Sequence, residues 1–227
     1  MSLWINRGAF KMNNINEVAL KSFYETHKDE YYRRRNSGDK KQWNEQYKWD
    51  ILPELNNKLS SFSKITRENV AEFISIINNN SNKSNFTHWI DMDGLNLLAD
   101  LPYGNQILDI VWQANSENAE EAIDTANNIS NSFKPNKKFS PSTWGYILAA
   151  KDCGSFSIYR ESILKQLIEI NLVEKKGITQ GRKYQLLNDS ALYLGSIMTA
   201  EKMDGISTDQ NALNGQDFLW VSLSQYN

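Results

Sequence analysis

The chain has 227 residues and a formal net charge of -2, enough for one large domain or two small ones and too balanced for a global pull toward nucleic acid or an anionic membrane. Its 40% hydrophobic and 23% charged residues exclude a disordered or fibrous chain. The single cysteine, Cys153, cannot close an internal disulfide, no apolar run is long enough to span a bilayer, and the start lacks the apolar region of a secretory signal; a cytoplasmic protein is expected.

Residues 1–12 read as a tag or upstream extension, with Met12 a second candidate start. Apolar residues at Ile15, Val18, Ala19, Leu20, Phe23 and Tyr24 have helical spacing and predict a helix from Ile15 to Tyr32, capped by Asn14 or Asn16. It should stop at the turn-forming cluster Asn36-Ser37-Gly38-Asp39. Lys40 to Trp49 is again helix-compatible, and Pro53 could begin a new helical turn carrying Leu52, Leu55 and Leu59. Thr66 is placed to cap a helix over Val70, Phe73, Ile74 and Ile77 that ends by Asn78 to Asn80. A short helix from Asp93 to Leu101, a turn at Pro102-Tyr103-Gly104-Asn105, and a helical pair at Ile107 to Ala114 and Glu117 to Ile129 follow.

The Pro, Asn and Lys stretch from Ser130 to Lys138 divides the chain into an N-terminal helical subdomain, 13–133, and a C-terminal one, 134–227. Ser140-Pro141 is an N-cap followed by Pro at the first helical position, opening a helix to Lys151 that Gly154 should end in a left-handed conformation. A helix from Arg160 to Ile170 precedes Leu172-Val173-Glu174, a Gly-containing turn and Lys183-Tyr184-Gln185-Leu186, which read as a short β-hairpin. Ser190 should cap a further helix, Ala191 to Met203, and the tail from Gln216 to Leu223 adds a short strand or packs across the core. The fold expected is mainly α, a multi-helix domain with a short β-hairpin in its C-terminal half. The order helix, helix, basic hairpin also fits a winged-helix module.

Catalytic signatures are absent from the sequence. Gly177-Ile178-Thr179-Gln180-Gly181-Arg182-Lys183 has glycines and a lysine, but not at the spacing of a phosphate loop. Two histidines 61 positions apart, His27 and His88, with one cysteine cannot build a closed zinc site. A Cys153 and His88 nucleophile–base pair lacks an orienting partner. Asp91-Met92-Asp93-Gly94 opens like a calcium loop, but Pro102 stands where the bidentate Glu belongs. Glu174-Lys175-Lys176 matches the end of a nuclease motif with no upstream acidic strand. No catalytic residue, cofactor or metal is expected in this segment.

The chemistry that remains is binding. Tyr31-Tyr32-Arg33-Arg34-Arg35, Lys40-Lys41, Trp43, Tyr47, Lys48 and Trp49 interleave cations with aromatics. Cations neutralise phosphates and rings stack on bases, which makes Arg33, Arg34, Arg35, Lys40 and Lys41 candidate DNA contacts and Tyr32 and Trp43 candidate stacking residues. The alternative is that the aromatics are core and the arginines a solvated helix end, where cations relieve the helix dipole. Lys175, Lys176, Arg182 and Lys183 on the hairpin, with Lys134, Lys137 and Lys138, form a second candidate basic face.

The stretch Tyr31 to Asn44, continuing through Trp49-Asp50-Ile51-Leu52-Pro53, resembles the N-terminal region of McrB-like AAA+ proteins of modification-dependent restriction systems. So does Phe139-Ser140-Pro141-Ser142-Thr143-Trp144-Gly145-Tyr146-Ile147-Leu148-Ala149-Ala150, running on to Phe156-Ser157-Ile158-Tyr159-Arg160. The resemblance implies a DNA-binding or target-recognition module that precedes an AAA+ motor, with oligomers formed through that motor and a nuclease subunit as partner. The nucleotide-hydrolysing activity does not carry over, because this chain holds no phosphate loop. Ser140 to Leu172 also bears a weaker similarity to helix-hairpin-helix DNA glycosylases, without their glycine-rich hairpin or catalytic Asp. The expected function is non-catalytic DNA recognition; the alternative is an assembly domain whose Trp and Tyr residues contact a nuclease partner.

Overall fold

The computed structural model describes residues 15–81, 86–87, 89–133, 139–174 and 179–224, and among these the regular structure is helical. In chain order the helices are α1 (Glu17–Arg35), α2 (Tyr47–Leu59), α3 (Val70–Ser81), α4 (Trp89–Asp100), α5 (Gly104–Trp112), α6 (Ala119–Phe133), α7 (Pro141–Lys151), α8 (Glu161–Glu169), α9 (Gln180–Ala200) and α10 (Asn211–Ser224). A 3-10 turn, Thr208–Gln210, leads into the last. No helix among the described residues is long and apolar enough to cross a membrane.

Local chemistry explains several helix starts. Asn16 Oδ1 accepts from the Ala19 amide at 3.1 Å and opens α1. The Thr66 carbonyl accepts from the Val70 amide at 3.0 Å, while Asn69 Oδ1 takes the Thr66 amide at 2.7 Å, so the turn ahead of α3 is closed from both sides. Ser140 Oγ accepts from the Thr143 amide with Pro141 at the first position of α7, as the sequence predicts. Helix α7 is buried on every side, from Thr143 to Ala150, which is why its apolar residues carry no amphipathic stripe.

The expected β-hairpin is not formed. Lys183 to Leu186 lie inside α9, which starts at Gln180 with Thr179 Oγ1 accepting from the Arg182 amide at 3.1 Å. Its other arm makes a single antiparallel bridge, Val173 with Ile15; of the expected turn at 175–181, residues 175–178 lie outside the described residues and Gln180 and Gly181 are in α9. With no strand among the described residues, the winged-helix reading falls as well. Three smaller expectations are corrected. Ser190 does not cap a helix: it sits within α9 and its hydroxyl donates back to the Leu186 carbonyl at 2.8 Å. Pro53 lies inside a continuous α2 instead of starting a new one, and residues 40–46 are turn and irregular backbone. Gly154 is not left-handed; it is required because a Cβ there would come 2.6 Å from the Asp209 carbonyl oxygen.

The hairpin of α9 and α10 is the centre on which the other helices pack. α10 also meets α1 and α8, α9 also meets α1, α6, α7 and α8, and α2 to α5 assemble against α7 and α6. The buried side chains form one cluster that runs from Leu20 through Trp144 to Leu223. The two central helices approach so closely that a Cβ on Gly195 would sit 2.0 Å from the Asn211 oxygen, and one on Gly215 would sit 1.9 Å from the Ala191 oxygen.

Two consequences follow from this core. In a helix interior Gly→Ala ordinarily stabilises by about 1 kcal/mol, but for Gly195→Ala the clash should reverse the sign and cost roughly 1 to 3 kcal/mol, read as a lower urea midpoint. The second concerns Asp189 on α9, whose carboxyl burial pushes up to about 6, against a hydrogen bond from Gln185 at 2.7 Å that favours ionisation. Because the folded state holds this proton more tightly than the unfolded chain, stability should fall as pH rises from about 4 to about 6 and level off above. Asp189→Asn should remove that fall and raise stability at pH 7 by on the order of 2 kcal/mol, measured by chemical denaturation across pH.

Candidate functional site

One α-helical stripe decides the fate of the basic run. Leu20, Tyr24 and Tyr31 share the buried face of α1, and Arg35, four residues past Tyr31, continues it. Tyr24 and Tyr31 pack on Phe218 of α10 with ring centroids 5.1 and 5.2 Å away. Arg35 therefore points inward, its side chain 8% exposed. Its guanidinium donates to the Tyr31 hydroxyl at 2.7 Å and the Gly205 carbonyl at 3.1 Å, and lies 4.5 Å from the Trp49 ring and 5.2 Å from that of Trp43.

All of this converges on Asp217, a fully buried carboxylate of α10. It accepts from the Tyr31 hydroxyl at 3.0 Å, the Trp43 indole at 3.0 Å and the Lys48 ammonium at 3.3 Å, with Arg35 at 3.8 Å. Lys48 is itself 2% exposed and also donates to Gln216 and Glu45. Burial works against the Arg35 charge, but Tyr31 and Asp217 outweigh it and hold the guanidinium protonated.

The candidate DNA contacts are thus divided. Arg35 and Tyr32 are inside, and the Trp43 indole is tied to Asp217, so neither stacking candidate offers a free ring. Arg33 and Arg34 both bond Glu30, at 2.5 and 2.7 Å, and hold its carboxyl down to about 2. Arg33 is nonetheless 58% exposed, and Lys40 and Lys41 are exposed on the loop that follows. The second basic face is not assembled on a hairpin. Arg182 and Lys183 occupy the first turn of α9 and pair with Glu120 and Glu161, while Lys175, Lys176, Lys134, Lys137 and Lys138 lie outside the described residues. Burial pushes the Cys153 thiol up to about 11, which disfavours the thiolate; His88 lies outside the described residues. No group of side chains among the described residues could hold a metal ion.

A feature that sequence reading missed is a cleft of about 450 Å³ lined by Glu45, Tyr47, Lys48, Thr87, Ser142, Arg160 and Trp220. Trp220 donates its indole hydrogen to Glu45 at 3.1 Å, and the Arg160 guanidinium lies 5.8 Å from the Trp220 ring. The Tyr47 hydroxyl donates to Glu45 at 3.3 Å and also hydrogen-bonds Arg160. Burial and the Glu45 charge push that hydroxyl up to about 12, so it stays protonated. Six of the seven lining residues sit at or near a helix start, Trp220 lying well inside α10, and nothing in their order says that these places meet.

No family model, curated protein or solved structure matches the chain.

The Asp217 cluster generates a stability prediction. Asp217→Ala would leave the Lys48 and Arg35 cations buried without that carboxylate, and would take the shared acceptor from Tyr31 and Trp43 as well. Breaking one side of a buried ion pair costs about 3 to 5 kcal/mol, so this variant should lose at least that much by urea denaturation. Truncating Glu30, whose partners are surface arginines, should shift the urea midpoint far less than Asp217→Ala does.

Proposed function

We propose that this chain is a non-catalytic DNA-binding, target-recognition module, of the kind that precedes the motor in McrB-like AAA+ proteins. One observation carries the reading: Arg33, Lys40 and Lys41 stand exposed within nine residues of one another at the end of α1 and on the loop beyond it. The Asp217 cluster fixes that loop from beneath through Trp43 and Lys48, so the cations are presented on a held backbone. Such a strip engages phosphates and contributes affinity and register without reading bases. Arg35, Tyr32 and Trp43 support the strip from inside and do not touch DNA. The resemblance of Tyr31 to Pro53 to that family supports DNA as the target, and in this reading a motor and a nuclease partner act on what the module has bound.

Duplex DNA titrated at several salt concentrations tests the proposal. Affinity should fall linearly with salt on logarithmic axes, and the triple variant Arg33→Gln, Lys40→Gln, Lys41→Gln should flatten the slope by roughly 2 to 3. Wild-type protein that fails to bind, or a triple variant with an unchanged slope, overturns it.

A further inference from the structure

The cleft described above is lined by none of the three residues of the cationic strip. Four helices begin at its walls. Tyr47 is the first residue of α2, Ser142 the second of α7, Arg160 the N-cap of α8, and Thr87 lies two residues ahead of α4. Each start contributes partial positive charge from amides that have no acceptor within the helix. Neither Gln46 at the start of α2 nor Arg160 at the start of α8 supplies a side-chain cap. The walls add the Arg160 guanidinium and the Lys48 ammonium. Of the charged groups named in and behind the cleft, Lys48, Arg160 and Arg35 are cations, whereas Glu45 and Asp217 are carboxylates.

Lys48 lies 2.7 Å from Glu45 and offsets its charge, while Tyr47 and Trp220 donate hydrogen bonds to the same carboxylate. Polar capacity is left over on the other side. Among the described residues, Thr87 Oγ1 in the wall has no hydrogen-bond partner. Two aromatic side chains, Tyr47 and Trp220, form the rest of the lining. The volume is that of a site for a small organic molecule and is far below what a peptide helix needs.

We propose that this cleft is a binding site for a small planar organic anion, a ring bearing a carboxylate or phosphate. The oxyanion lies at the Arg160 guanidinium, which binds it bidentately, beside Ser142 and the positive end of the α7 dipole. The ring lies along Trp220 and Tyr47.

The test is calorimetric titration of the whole chain with four probes: benzoate, benzamide, adenosine 5′-monophosphate and adenosine. The expected result is binding of one or both anions, with the matching neutral probe at least tenfold weaker; which anion wins identifies the oxyanion. Arg160→Gln should weaken the favoured anion at least tenfold. Ser142→Glu keeps a helix-favouring residue in the first turn of α7 while placing a carboxylate in the cleft, and should abolish binding with the helical circular dichroism unchanged. Equal binding of charged and neutral probes, binding of none, or wild-type affinity in a folded Ser142→Glu protein overturns the proposal.

Discussion

A carboxylate buried without compensation is among the most expensive things a fold can contain, and Asp217 is buried completely. Its cost is met by donors that come from far away in the chain: Tyr31 at the end of α1, Trp43 on the connecting loop, Lys48 on α2. Each donor must be in place for the site to be satisfied, so the carboxylate ties residues 31–48 to the last helix with directional bonds that apolar packing cannot supply. Around it, Phe218 receives the rings of Tyr24 and Tyr31, and Arg35 closes the cluster against Trp43 and Trp49. A buried ionic cluster is weak evidence for extra stability, since desolvation offsets much of the Coulombic gain. What it does add is direction: Trp43, on the loop after α1, donates its indole hydrogen to one buried oxygen.

That constraint explains how the basic run divides. Three consecutive arginines look equivalent in composition, but successive helix positions are turned by about 100°, so they cannot share a face. Arg35 lies four residues beyond Tyr31 and eleven beyond Tyr24, on the stripe those tyrosines bury. Arg33 and Arg34 lie three and four residues beyond Glu30 and find it instead. The periodicity that predicts α1 thus also contains the fate of its last turn; reading the arginines as one block of charge hides it. The aromatics are divided by the same logic, because Trp43 and Trp49 are needed as the walls that receive Arg35.

Elements whose signals are local were legible: the Asn16 and Ser140 caps, the Pro141 start and the apolar spacing of α3. The failures lie where tertiary contact overrides local chemistry. Gly181 and the basic residues beside it look like a turn, yet Gly181 sits in the first turn of α9 because a Cβ there would come 2.1 Å from the Glu120 oxygen. Ser190 looks like a cap, but its hydroxyl is satisfied by the carbonyl one turn back, so a 21-residue helix runs past it. Gly195 and Gly215 carry no local signal for close helix packing; only their juxtaposition across α9 and α10 gives them meaning. The cleft was illegible for the same reason, since its seven lining residues are scattered from Glu45 to Trp220.

Lys48 joins the interior cluster to that cleft. Its ammonium is shared among Asp217, Gln216 and Glu45 and also lines the cleft. The electrostatics of the two regions are therefore not independent. Asp217 draws the Lys48 charge inward and, through the same ammonium, fixes where Glu45 lies; Glu45 in turn holds Trp220 and Tyr47 in the wall. A carboxylate that never meets solvent thus sets the orientation of side chains that do. Strengthening or weakening the hold of Asp217 on Lys48 would shift charge between the core and the cleft. The rigidity that settles the fate of Arg35 and the preorganisation a small binding site requires are the same property of this structure, reached through one lysine.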